Sequence, residues 1–279
     1  MVTSPIYYAN PEKMKLLFKL LLLIAAFFAL WFLLSRGDWM SMFKLEKAGE
    51  KTEEKLGKLS WDLIQSLDKE VTNEQVISIL DTILIRICDK NEIDRESIKL
   101  KVIEKSDVNA FALPDNYLVL YTGLITECQK PEELAGVMAH EIAHMEKEHI
   151  MQKLIKETGL SVLISMTTGN GNPEIMRQII KAITSSAYDR SLEREADLTG
   201  ADYLVAAEID PAPFAEFLFR LSAKEKDLPD EVFWVSSHPG SEERAKDIIE
   251  HIHDKQVDHR PVLDSIQWST LQTLSIDPD

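Results

Sequence analysis

The sequence predicts an α+β fold, mostly helical, with a small β-sheet, preceded by one transmembrane helix. Three observations carry this. Apolar residues recur at helical spacing through most of the chain. Only around residues 97–122 does the pattern change, to short apolar runs with a turn at Pro114-Asp115-Asn116, which reads as two or three strands. Ahead of both, Leu16 to Leu34 is apolar except for Lys19 and is long enough to span a bilayer core.

The elements follow in order. Residues 1–12 are a polar arm and 13–39 the anchor, with Trp31 and Trp39 suited to the interface. Ser35-Arg36-Gly37-Asp38 is a poor cleavage site, so the span is read as retained rather than removed as a signal peptide. Residues 40–70 are rich in Lys and Glu, with Leu45, Leu56, Leu59, Leu63 and Leu67 spaced for an amphipathic linker helix. Thr72-Asn73-Glu74-Gln75 resembles a capping box opening a helix from Val76 to Asp89. Pro131-Glu132-Glu133 starts the next long helix, with Pro in the first turn and acids near its positive end. A Gly/Asn loop at Thr168 to Pro173, a lid or a plain connection, leads to one long helix, roughly Pro173 to Ala207. Shorter helices are expected around 211–225 and 241–253. Residues 71–260 form one domain, and 261–279 a tail without a readable pattern.

Chemistry concentrates in His140-Glu141-Ile142-Ala143-His144. Residues four apart share a helix face, so both imidazoles can bind one metal ion. Glu141 can then reach a water on that ion, which is the arrangement of two ligands and a general base. With 7 His in 279 residues, a chance HExxH is expected in only about 1–2% of such chains. A catalytic zinc needs a third protein ligand. The histidine that would come six residues after His144 is Ile150, and His149, five residues on, is expected to rotate off the ligand face into solvent. Glu193 and Asp197 are better candidates: they share a helix face beside the small Ala196. Glu193 could complete a His, His, Glu site for one Zn2+, and Asp197 could accept the free N–H of a ligand histidine. Without HExxH upstream, Glu193, Arg194 and Glu195 would read as a charged helix face.

Four blocks together resemble a known family. They are Val108-Asn109-Ala110-Phe111-Ala112-Leu113-Pro114 with Tyr117 to Leu124, then His140 to His144, then Glu193 to Asp197 preceded by Tyr188 and Arg190, and finally Ser237-His238-Pro239 with Arg244. Their order and spacing over about residues 70–250 resemble the zinc metallopeptidases that include HtpX, the CAAX prenyl proteases, and the BepA and Oma types. Asp115-Asn116 stands where that family usually has glycines, and Asp189 where it has Ser. The resemblance implies a zincin-like metallopeptidase domain. It implies that His238 supports the oxyanion as a catalytic residue or occupies the open metal position in a resting state. Arg244 would stand behind the ligands. It also implies that the strand bearing Asn109, Ala110 and Phe111 is an edge on which an extended substrate pairs. Read from the residues alone, Ser236 to Ser241 is a turn with Ser241 capping the next helix, and 108–121 a core hairpin.

The expected function is a membrane-anchored zinc metalloendopeptidase of protein quality control, acting on unfolded or misassembled polypeptides. The alternative is a zinc-bearing, chaperone-like binding module; an intact Glu141 favours an enzyme. A prenyl-protein protease is disfavoured by the single span. Lys13, Lys15 and Lys19 precede the span and Arg36, Lys44, Lys47 and Lys51 follow it, so charge does not orient it. The short N-terminal arm and the resemblance favour an extracytoplasmic catalytic domain. Net charge of −16 argues against nucleic acid. Cys88 and Cys128 are either one disulfide or two buried thiols.

Overall fold

The computed structural model describes residues 45–168, 172–185, 187–224, 234, 237–255 and 258–276, together with Lys15, Lys19, Ile24 and Phe28. The chain divides into two compact units, residues 1–50 and 51–279. In the first, those four positions are helical and exposed. The proposed span at 16–34 otherwise lies outside the described residues, among which no helix is long and apolar enough to cross a membrane.

The second unit begins within α1 (Leu45–Leu67), which leads to α2 (Glu74–Lys90) and a short 3-10 turn at Arg95–Ser97. The sheet follows as β1 (Lys99–Ile103), β2 (Ala110–Leu113) and β3 (Tyr117–Tyr121). Then come α3 (Thr122–Glu127), α4 (Pro131–Glu146), α5 (His149–Thr158), α6 (Leu160–Thr168) and α7 (Pro173–Ser185). The last described helices are α8 (Arg190–Ala206), α9 (Ala212–Lys224), α10 (Ser241–Ile252) and α11 (Ser265–Ile276). Strand order is β1-β3-β2, with β1 parallel and β2 antiparallel to the central β3. The β2–β3 turn puts Asp115 and Asn116 at φ 64° and 57°, a region those short polar side chains tolerate. Asp115 and Asn116 thus make the turn without a glycine.

Several local expectations change. Asn73, not Thr72, caps α2, because its side-chain oxygen accepts from the N–H groups of Gln75 and Val76. Leu67 is exposed, while Leu56, Trp61 and Ile64 of α1 are buried in the common core. Val262, Leu263 and Leu271 join that core from the other end. The long helix expected from Pro173 to Ala207 is broken: residues 187–189 are non-helical, with Asp189 extended at ψ 138°. Gly240, at φ 86°, precedes α10 in the capping position, and Ser241 is its first helical residue. Cys88 and Cys128 are buried free thiols.

Two close approaches set the helices around α4. A Cβ on Gly136 would stand 2.3 Å from Cβ of Phe214, so α9 lies on α4 only because that position is glycine. A Cβ on Gly200 would stand 3.0 Å from the backbone nitrogen of His140, so α8 presses on the metal-motif turn itself. Glu133, buried at the start of α4, is held by Arg220 of α9 at 2.7 Å.

Candidate metal centre

Three elements deliver the site. α4 supplies His140, Glu141 and His144, α8 supplies Glu193 and Asp197, and the turn before α10 supplies His238, with Arg244 in the first turns of α10. All seven side chains are buried. One donor atom each from His140, His144, Glu193 and His238 lies within 4.8 Å of the others. His140 Nε2 is 3.0 Å from His144 Nε2 and 3.2 Å from His238 Nδ1. Glu193 Oε1 is 2.8 Å from His238 Nδ1 and 3.5 Å from His144 Nε2. A tetrahedral ion with bonds of about 2.0–2.1 Å sets its ligand atoms about 3.3 Å apart. The residues present therefore fit a metal ion: three imidazole nitrogens and a carboxylate, all buried, converge at ligand-to-ligand spacing.

The surrounding charges keep those donors in the form a metal needs. Burial, reinforced by neighbouring His140, pushes the His144 pKa well below its ordinary value, so its imidazole is neutral. Burial alone would raise Glu193, but His238 and Arg244 outweigh it and hold the carboxylate ionised. Asp197 is likewise lowered against burial by Arg244. The guanidinium works on both acids: Nε and Nη2 donate to Asp197 at 2.7 Å each, and Nη1 lies 2.9 Å from Glu193 Oε2. Asp197 Oδ1 is also 2.9 Å from His140 Nδ1, the ring nitrogen facing away from the cluster. Arg244 Nη1 donates to the His238 carbonyl at 2.9 Å as well, tying the His238 turn to the ligand helix.

Glu141 faces the same pocket, with both oxygens engaged. Oε2 accepts the N–H of Ala112 in β2 at 3.1 Å, and Oε1 accepts the indole N–H of Trp234 at 3.3 Å. His238 Nε2 is 3.3 Å from that same Oε1. Trp234 also stacks on the His238 ring at 4.8 Å, and its backbone N–H donates to the Val108 carbonyl at 3.2 Å, just ahead of β2. Tyr188 stacks on His144 at 4.2 Å and on His238 at 5.5 Å.

β2 is an outer strand of its sheet, as the edge role requires, yet Asn109, Ala110 and Phe111 are all buried. The side-chain oxygen of Asn109 has no hydrogen-bond partner among the described residues. Three further groups at the site carried no usable signal in the sequence. Trp234 sits outside any motif, and Lys153, buried with its ammonium 3.8 Å from the Tyr188 ring centre, looked like one more helix lysine. The third corrects an expectation. His149 is not solvated: it is 1% exposed, with Nδ1 3.0 Å from His144 Nδ1. A rotation off that face needs one continuous helix, but Glu148 adopts φ 56° and the chain turns there, bringing His149 back toward His144. Its signal was only the spacing of five from His144, which is uninformative without the turn.

A sequence model of peptidase family M48 matches residues 72–252. The chain is 26% identical to the mitochondrial metalloendopeptidase OMA1 of Schizosaccharomyces pombe, over 57% of this chain and 48% of that one. It is 27% identical to the metalloprotease LoiP of Escherichia coli over 80% of this chain and 87% of that one. It is also 27% identical to the beta-barrel assembly-enhancing protease of Escherichia coli, over 52% of this chain and 32% of that one. The chain thus spans half or less of the first and last of these relatives.

Proposed function

This chain belongs to peptidase family M48, and from that premise we propose that it is a membrane-anchored zinc metalloendopeptidase. The observation that carries the proposal is the buried convergence of His140, His144 and Glu193 with Glu141 against the same pocket. Zinc held by those three ligands would act as a Lewis acid and bring the pKa of water toward about 7. Glu141 takes the proton of the attacking water and passes it to the leaving amine. Arg244 holds Glu193 and Asp197 in place, and Asp197 fixes the His140 ring.

An extended polypeptide would pair along the strand bearing Asn109, Ala110 and Phe111, through the outward main-chain groups of Ala110 and Ala112, because the Asn109 carbonyl accepts from Tyr121 of β3; the Asn109 side-chain oxygen has no hydrogen-bond partner among the described residues. Ala112 presents its N–H away from β3, toward Glu141. A strand arriving on that edge therefore competes for this N–H and frees Glu141 Oε2 for its proton. Backbone pairing of this kind is weakly sequence-specific, which supports unfolded or misassembled polypeptides as substrates. The name beta-barrel assembly-enhancing protease, printed for one relative, supports the same reading. The apolar run at 16–34 supports a single membrane anchor.

The conformation described is a closed one. His238 Nδ1 stands among the metal donors as a fourth ligand atom, Trp234 occupies Glu141, and β2 is covered. A closed, four-donor set is the mark of a structural metal site. That favours a second reading, a zinc-bearing, chaperone-like binding module in which the site does not open. Casein degradation by the full chain in detergent, with and without chelator and beside Glu141→Gln, separates the two. The peptidase reading expects chelator-sensitive cleavage that Glu141→Gln abolishes with zinc retained. Equal inertness of both proteins, each holding one zinc, would give the binding module the lead.

A further inference from the structure

Both metal-motif histidines turn Nε2 toward the cluster and Nδ1 away from it. For His140 the outer nitrogen meets Asp197, a carboxylate. For His144 it meets another histidine: Nδ1 of His149, at 3.0 Å. The rings are 5.0 Å apart and inclined at 72°, and His149 is as buried as the ligand it faces. The far nitrogen of His149, Nε2, lies 3.6 Å from Glu195 Oε2 on α8. Glu195 is half exposed and faces Lys147 Nζ at 3.7 Å on its other side.

We propose that His149 is a positioning residue for the metal centre, accepting the Nδ1–H of His144 at its own Nδ1. The inference rests on the zinc reading above and goes beyond it by naming what fixes the second histidine. The chemistry leaves one arrangement. A neutral imidazole that offers the Nε2 lone pair to a metal carries its proton on Nδ1. That proton needs an acceptor, because His144 is fully buried and a buried unpaired donor is costly. His149 Nδ1 is in place to accept it, which puts the His149 proton on Nε2, facing the Glu195 carboxylate. The result is a line from the metal position through His144 and His149 to a surface acid. It does for His144 what Asp197 does for His140. Glu148 makes it possible: its left-handed backbone ends α4 and starts α5 at His149 itself, so the ring projects back along the face it has just left.

The test reads metal and protons rather than turnover. Zinc affinity is measured by competition with a chromophoric chelator for wild type, His149→Phe and His149→Asn. Phe keeps an aromatic ring without an acceptor, whereas the Asn side-chain oxygen falls near the place of Nδ1. The expected result is a fall in affinity on the order of 10–100-fold for His149→Phe, with most of the loss recovered in His149→Asn. An unchanged His149→Phe, or equal loss in both variants, overturns the proposal and leaves the peptidase reading standing. A wild type that holds no zinc overturns both. Should His149→Phe fail to fold, the tautomers of the wild-type zinc protein decide through nitrogen-15 histidine spectra. A His149 protonated on Nε2 alone supports the proposal, and one protonated on Nδ1 sinks it.

Discussion

Single residues at this site are constrained by charge as much as by position. Glu193 is a buried carboxylate kept ionised by Arg244 and His238, so its removal takes away a proposed ligand and leaves the buried guanidinium with Asp197 as its one carboxylate partner among the described residues. Glu193→Ala is expected to lose zinc, read by metal content after dialysis; unchanged content would remove Glu193 from the ligand set. Lys153 supplies a pH prediction. Burial lowers its pKa to about 8, whereas an unfolded lysine holds its proton to about 10.4. Between those values the unfolded chain binds more protons, so stability rises with pH there. The cost of the buried charge is thus full below about pH 8 and fades as pH climbs toward 10.4. Lys153→Met is expected to be more stable than wild type at pH 7, with its advantage shrinking between about pH 8 and 10 in paired thermal melts. A constant difference would mean that folding leaves the Lys153 pKa at its unfolded value. At this scale the motif residues were legible because a spacing of four on a helix is local geometry. Lys153 and Trp234 were not, because nothing local distinguishes a buried lysine or tryptophan from an exposed one.

At the scale of elements, two features fix how the ligands are presented. The α4–α9 contact depends on Gly136, and Gly136→Ala would drive a methyl group into Phe214. A loss of about 1–3 kcal/mol is expected, visible as a lower denaturation midpoint. The α4–α5 turn depends on a left-handed Glu148. Because glycine adopts that conformation freely, Glu148→Gly is expected to be neutral or stabilising by up to about 1 kcal/mol. Glu148→Val should instead destabilise, and the reverse order in urea melts would argue against the turn. The sequence disclosed where these helices begin better than where they bend. Pro131 announces α4, whereas the breaks at Glu148 and at 187–189 carry neither glycine nor proline. The second break has a tertiary cause, since Tyr188 must leave the helix to stack on His144 and to donate its N–H to the Ser237 carbonyl at 3.2 Å.

For the whole molecule the question is how the closed site opens. If His238 blocks the fourth position, His238→Ala should raise casein cleavage; if it supports the oxyanion, the same change should lower it. Zinc held by His140, His144 and Glu193 would join α4 to α8, so chelation should lower the melting temperature by mass action, and zinc should restore it. An identical melting curve with and without chelator would mean that no metal bridges those helices. The sequence by itself determined the mostly helical α+β class, the short strands around 97–122 without their exact number, the HExxH helix and the shared helix face of Glu193 and Asp197. Each follows from periodicity or spacing within one element. Only the tertiary structure decided that His149 turns inward, that β2 is covered, and that Trp234 and His238 converge on Glu141. Those facts depend on one backbone dihedral and on contacts between segments about a hundred residues apart, and such contacts leave no period in the chain to read.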